Sequence, residues 1–377
     1  MRRLPDAIEA GLLALALVLP FSLGATNIIL GVLSPLALAG LVVGPLKWRR
    51  SWNLIFISIV VYACVGFATA ALGTDPGRSY HDAIKDWHKL WVIVVLLPSF
   101  SAKRETRVPW ALAIAFSAAA IVGIWQSATE RVGWMWMRAH GWFHPVTYGE
   151  MMALALLGGL CLLAHKEARR PWLAFYLALC GAALILSQTR GAALGLAAGF
   201  AAVCWLKERL RRWMVPGAGA LAVAALVWEV MPNGGRSFSA LLHASQQGRF
   251  QMWGAAWRMF RDRPWTGVGP GNYNELFPNY FHGAIEKQAV WGSAHNLFLH
   301  QLAERGLLGA AALVFVLGVL TLGAWRRAQK SSDARDLWAW GAMIAFLFMN
   351  ITEVAFQNEL MTTLLLFIWC WSQGRPA

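Results

Sequence analysis

Apolar residues along this chain gather in long unbroken blocks, with neither the three-and-four-residue rhythm of a soluble helix nor the alternation of a half-buried strand. Twelve blocks stand out, at 7–24, 26–46, 53–73, 87–100, 108–127, 146–165, 172–187, 191–206, 213–231, 295–325, 337–354 and 357–373. Most run about 16 to 22 residues, the length at which a helix covers ~30 Å of hydrocarbon. Lipid offers no partner for a free amide, so each block predicts a helix. The expectation is an all-α polytopic membrane protein of about twelve transmembrane helices, residues 1–377 forming a single integral membrane domain.

One long connection, 232–294, interrupts the pattern between the ninth and tenth blocks. Phe250, Trp253, Trp257 and Phe260 recur there at three- and four-residue steps, predicting an amphipathic helix from about Gln246 to Asp262. Pro264 ends it, and the glycines at 267, 269 and 271 predict a tight turn. A connection this long with a helix of its own is usually functional.

Composition agrees with the blocks. The 377 residues are 58% hydrophobic and 14% charged, against about 45–50% and about 25% in soluble domains. The net charge of +14 would suggest nucleic acid in a soluble protein. Its distribution points to membrane topology instead. With the N-terminus in the cytoplasm, 20 of the 33 basic residues fall on inside segments, among them Arg49, Arg50, Arg169, Arg170, Arg326 and Arg327. That satisfies the positive-inside rule with both termini cytoplasmic, and tryptophans line the same border. Arg2, Arg3 and the apolar stretch after them have the outline of a signal peptide. No small-residue cleavage site follows, so the expectation is a first span. The five cysteines lie inside apolar blocks without CxxC spacing, which indicates packing and neither disulfides nor zinc.

Two places carry candidate chemistry. Blocks seven and eight meet at Ser187-Gln188-Thr189-Arg190-Gly191, a turn too short for Arg190 to wander, and Gly191, Gly195 and Gly199 then form a small-residue face. Arg190 is either a snorkelling or capping arginine or a fixed guanidinium awaiting an anion such as phosphate. The second place is His295-Asn296-Leu297-Phe298-Leu299-His300, continuing to Glu304-Arg305-Gly306. A continuous helix over 295–325 would be ~46 Å long. It would hold Glu304 and Arg305 near the outer interface and lift His295 above it, as a wet helix end or as a base. His300 points elsewhere and reads as packing. Absent are DxD, any carboxylate cluster for Mg²⁺ or Mn²⁺, the P-loop and GxSxG. The expected chemistry uses Arg, Lys and His, with no metal and no cofactor.

These residues resemble the O-antigen ligase family, the integral-membrane enzymes that attach polymerised O-antigen to lipid A–core. The resemblance rests on the twelve blocks with a large loop before the tenth, on SQTRGA at 187–192, on the run from Gly248 to Tyr273 and on HNLFLHQLAERG at 295–306. Thr189 stands where many relatives have serine. The resemblance implies a C-type glycosyltransferase-like architecture in the bacterial inner membrane, with 232–294 as a periplasmic loop. It implies an undecaprenyl-pyrophosphate-linked glycan as donor, lipid A–core as acceptor and no nucleic acid. It places the donor pyrophosphate on Arg190 and Arg249 and catalysis on His295. Lys85, Lys89 and Arg78 near the fourth block, with Trp253, Glu304 and Arg305, are expected as further donor or acceptor contacts. The alternatives are an O-antigen polymerase or a protein O-oligosaccharyltransferase of the same superfamily, and, further off, a transporter or flippase. Polymerases carry Arg-x10-Gly motifs, and Arg138/Gly149 and Arg258/Gly269 have that spacing, a coincidence common in a chain of 35 glycines.

Overall fold

The structure, a computed structural model, describes residues 4–44, 46–101, 107–132, 135–163, 171–230, 246–281 and 292–374. Among the described residues, each of the twelve apolar blocks lies largely on a helix. In chain order the helices are α1 (Leu4–Val18), α2 (Leu23–Val43), α3 (Asn53–Ala71), α4 (Pro76–Ala83), α5 (Asp86–Ser99), α6 (Val108–Thr129), α7 (Pro145–Leu162) and α8 (Pro171–Ser187). There follow α9 (Arg190–Leu206), α10 (Glu208–Arg211), α11 (Met214–Val230), α12 (Gln246–Asp262), α13 (Tyr273–Tyr280), α14 (Leu297–Lys330), α15 (Ala334–Met349) and α16 (Glu359–Gln373). A two-residue antiparallel ladder pairs Arg131–Val132 with Met135–Trp136.

Among the described residues, five helical segments are long and apolar enough to cross a membrane by length and composition: α2, Arg50–Ala71 ending in α3, α6, α7 and α14. Helices α8 and α9 and most of α11 are shorter and equally apolar. This is the build of a membrane protein. The small-residue face of α9 does what its spacing predicts. A Cβ at Gly195 would stand 2.7 Å from Ala345 O, and one at Gly199 2.4 Å from Gly341 O, so α9 and α15 run backbone to backbone.

Two expectations change. The helix over 295–325 is not continuous: α14 begins at Leu297, reaches Lys330 and breaks at Gly306, where φ is 61°. The break is splinted by residues 264–269. Val268 N–H donates to Ala303 O at 2.9 Å and Gly269 N–H to Glu304 O at 2.8 Å, while Leu307 N–H donates to Pro264 O at 2.8 Å. A Cβ at Gly306 would lie 2.4 Å from the Trp265 carbonyl carbon, which only glycine allows.

The eleventh block also ends early. Helix α15 stops at Met349, and Asn350 turns the chain back by donating to Phe346 O and accepting from Phe356 N–H. Helix α12 forms over the predicted residues. Its buried face is Met252, Ala255, Ala256 and Met259, packed on Tyr273, Phe277 and Ala303. Phe250 and Trp257, whose spacing predicted the helix, are 59% and 49% exposed. The small residues of the packed face let α12 approach α14 closely. All five cysteines are unbonded, and Cys64 is exposed on α3 where packing was expected.

Candidate active site

The turn before α9 is held from three sides. Arg138 donates from Nε to Ser187 O at 2.7 Å and from Nη2 to Thr189 Oγ1 at 3.1 Å. Thr189 Oγ1 donates to Pro145 O at 3.0 Å, which ties the turn to the start of α7. Gln188 takes the left-handed conformation, φ 52°, rare for a residue with a Cβ. Arg190 thus opens α9 from a fixed base, half-buried.

His295 sits two residues before α14, again left-handed at φ 44°. Among the described residues these are the non-glycine positions with positive φ, and such strain persists only where the surroundings enforce it. The enforcement is visible. Asn296 caps α14 by accepting from Leu299 N–H, and its Nδ2 donates to Ile351 O at 3.0 Å. Leu297 N–H donates to Asn350 O at 2.9 Å. The helix start is therefore sewn onto the turn after α15. That turn presents Glu353, whose Oε2 lies 3.0 Å from His295 Nδ1. A proton on Nδ1 donated to Glu353 leaves the Nε2 lone pair to take a proton from outside.

The two places meet. A Cβ at Gly191 would stand 2.5 Å from Thr352 Oγ1, so the residue after Arg190 touches the residue before Glu353. Histidine, carboxylate and arginine turn share one end of the helix bundle.

Lys89 and Arg305 lie deeper. Both are buried, and both bind Asp86: Lys89 Nζ to Oδ1 at 2.9 Å and Arg305 Nη1 to Oδ2 at 2.5 Å. Arg305 also lies over the Tyr62 ring, 5.0 Å from its centroid. Glu304, expected with Arg305 near the interface, is buried too; Oε1 accepts from Tyr273 N–H at 3.2 Å, and Oε2 lies 3.4 Å from His300 Nε2. His300 packs as expected, edge-on to Tyr273 at 5.1 Å, and also faces this carboxylate. Two cations and two carboxylates thus sit together where α14 breaks. Burial pushes the Tyr273 hydroxyl up, and Glu304 adds to it.

Arg78 and Lys85 lie outside this cluster. Arg78 binds Glu275 of α13 at 2.6 Å, and Lys85 binds Asp82 at 2.8 Å, a bond that holds its ammonium above the ordinary range. Arg249 is half-buried in the first turn of α12, and Trp253, one turn on, is half-buried against Phe250. The arginines of the Arg-x10-Gly spacing hold backbone: Arg138 as above, Arg258 at Tyr280 O, 2.7 Å. Among the described residues no three His, Cys, Asp or Glu side chains gather as a metal set.

Sequence reasoning missed Glu353 and Asp86, and gave Arg138 no role beyond the Arg-x10-Gly spacing. For Glu353 a signal existed, since a carboxylate inside an apolar block is a functional candidate by default. Asp86 stands three residues before Lys89, the spacing of a helical ion pair.

Residues 174–314 match the family model described as O-antigen ligase, the family whose motifs the sequence resembles. The matched stretch contains Arg190, Arg249 and His295, and leaves Asp86 and Glu353 outside it. No curated protein matches the chain.

Proposed function

We propose that this chain, with an O-antigen ligase segment over residues 174–314, is a metal-independent glycosyltransferase that moves O-antigen polysaccharide from undecaprenyl pyrophosphate to a sugar hydroxyl of lipid A–core. The acceptor O–H bond breaks as its proton passes to His295 Nε2. The freed oxygen attacks the anomeric carbon of the glycan, and the bond from that carbon to the pyrophosphate oxygen breaks. Arg190 and Arg249 take up the charge of the departing undecaprenyl pyrophosphate as planar donors suited to phosphate. The chain would cross the inner membrane about twelve times with both termini cytoplasmic, putting the site and the 232–294 loop on the periplasmic side.

One observation carries this reading. The His295–Glu353 pair, 3.0 Å apart, is a histidine oriented by a carboxylate, the arrangement of a general base, and Thr352, the residue before Glu353, lies against Gly191, the residue after Arg190. No observation favours transport. The reconstituted protein, supplied with undecaprenyl-pyrophosphate glycan and lipid A–core, should yield a glycan ladder on lipid A. Chain growth on the undecaprenyl carrier would make it a polymerase.

A further inference from the structure

Helix α12 is apolar on two sides. Met252 and Met259, with Ala255 and Ala256, pack on α13 and α14. Phe250 and Trp257 each precede one of those methionines by two residues, which sets them roughly 160° around the helix, and both are exposed. Trp253 and Phe260 extend this second side as ring pairs, Phe250–Trp253 at 5.5 Å and Trp257–Phe260 at 5.1 Å. Gln251, Arg258 and Asp262 share a third, polar side. Just past the helix Trp265 is 66% exposed. An aromatic surface of this extent marks a contact with something outside the chain.

What that contact is follows from where α12 runs. Its packed side follows the stretch of α14 from Leu299 to Ala303, and that stretch is tied at both ends to the ends of other helices. Leu297 N–H donates to Asn350 O just past α15. Arg305 Nη1 binds Asp86, the first residue of α5. Just past α3, Thr74 N–H donates to Val268 O at 2.8 Å, and Leu72 O accepts from Arg263 Nη1 at 2.9 Å. The Tyr62 and Phe356 rings, 5.6 Å apart, join α3 to the turn after α15 near the same end. Helix α12 thus runs along the end of the bundle instead of rising from it. Trp265 fixes its depth. The Trp265 carbonyl accepts from Leu308 N–H at 3.3 Å. Leu307 and Leu308, both exposed, begin the apolar run of α14 that is long enough to cross a membrane. The aromatic surface therefore continues the lipid-facing side of α14. Arg261 and Arg263 are exposed at the same end of α12, whose lone acid is Asp262. Aromatic rings beside arginines at the limit of an apolar run match the phospholipid headgroup zone, where indoles settle and guanidinium groups meet phosphate.

We propose that α12 is an interfacial helix: Phe250, Trp257 and the adjoining Trp265 bed in the headgroup layer of a phospholipid membrane, with Arg261 and Arg263 on lipid phosphates. That depth holds Arg249, in the first turn of α12, level with a lipid-linked phosphate. This consequence rests on the ligase reading, and the docking itself does not.

The test uses the full chain in liposomes of phosphatidylethanolamine and phosphatidylglycerol, with Cys64→Ser removing the exposed thiol of α3. Phe250→Cys, Trp257→Cys and Gln251→Cys, one at a time, carry a nitroxide, and paramagnetic resonance reads its collisions with oxygen and with a water-soluble nickel chelate. Labels at 250 and 257 should meet oxygen in preference to nickel, as groups at or below headgroup depth do, and the label at 251 should do the reverse. Adding Trp265→Asp should shift the label at 257 toward nickel while the melting temperature holds, since Trp265 packs little of its side chain on the protein. Nickel-dominated collisions at 250 and 257, or a label at 257 that Trp265→Asp leaves unmoved, would overturn the proposal. Labels at 250 and 257 that stay wet in liposomes and are shielded only by added core oligosaccharide would give this face to sugar and overturn it as well. None of these readings uses turnover, so the docking is decided apart from the ligase reading.

Discussion

His295 Nδ1 and Glu353 Oε2 lie 3.0 Å apart although 58 residues of chain separate them. If the carboxylate orients the imidazole, Glu353→Ala should lower kcat ~10- to 100-fold and leave donor affinity intact. His295→Ala should cost ~10²–10⁴-fold in transfer, again with donor still bound. The two act as a unit, so the double variant should be no slower than His295→Ala alone. Single-turnover transfer alongside donor-binding titration decides this. Independent, multiplying losses would show that the pair is not a catalytic couple.

Arginine geometry at the proposed donor site is the second expectation. Lysine keeps the charge and loses the planar fork. Arg190→Lys and Arg249→Lys should each reduce transfer at least ~10-fold while membrane insertion and purification stay normal, a loss measurable as kcat/KM for the lipid-linked donor. Near-normal turnover in both would reduce these arginines to fold anchors.

Chelation should leave the proposed transfer intact. The proposed charge stabilisation comes from guanidinium groups, so transfer in EDTA should equal transfer without it. Loss of activity restored by Mg²⁺ or Mn²⁺ would replace the arginine mechanism with a metal one.

A fourth expectation separates structure from chemistry among the remaining cations. Asp86 binds buried Lys89 and Arg305 together. Asp86→Ala strands both charges and should cost about 3–5 kcal/mol, the range for breaking a buried pair. Arg78 and Glu275 are 42% and 56% exposed at the side chain. Arg78→Ala should cost no more than ~1 kcal/mol. Thermal unfolding in detergent reads both. A mild Asp86→Ala beside a severe Arg78→Ala would reverse this assignment of roles.

Gly306→Ala tests the helix break. With φ at 61° and a Cβ placed 2.4 Å from Trp265 C, alanine there is both strained and overlapping. The strain alone is about 1–3 kcal/mol, and the overlap adds to it. The melting temperature should fall clearly, whereas Gly181→Ala, where a Cβ meets nothing within 4 Å, should leave it unchanged. Equal melting temperatures would mean that the splint by 264–269 does not form.

Much of this fold is legible in sequence because lipid imposes one rule, that an apolar run must be helical. The twelve blocks and the α9 glycine face follow from it directly. That Arg190 and His295 stand at helix starts was legible too, since each lies at the polar edge of a block. What escaped was tertiary. Glu353 pairs with His295 only because Asn350 turns the chain back, and a local window reads 337–354 as one span. Which face of α12 packs was not legible either, since bulky Phe250 is left outside while Ala255 and Ala256 allow close approach.

The splint across Gly306 also sets an order of events during biosynthesis. Residues 264–269 leave the ribosome before 303–308, the positions that accept and supply their main-chain bonds. Until that later stretch is made, the amides of Val268 and Gly269 lack their main-chain partners. Helix α12 can form when it emerges but docks only once α14 has been made. The same docking brings residues just upstream of 297 to rest, so His295 is set in place late in assembly. A nascent chain that stalls before residue 303 would lack the splint and, on the proposed mechanism, a finished centre.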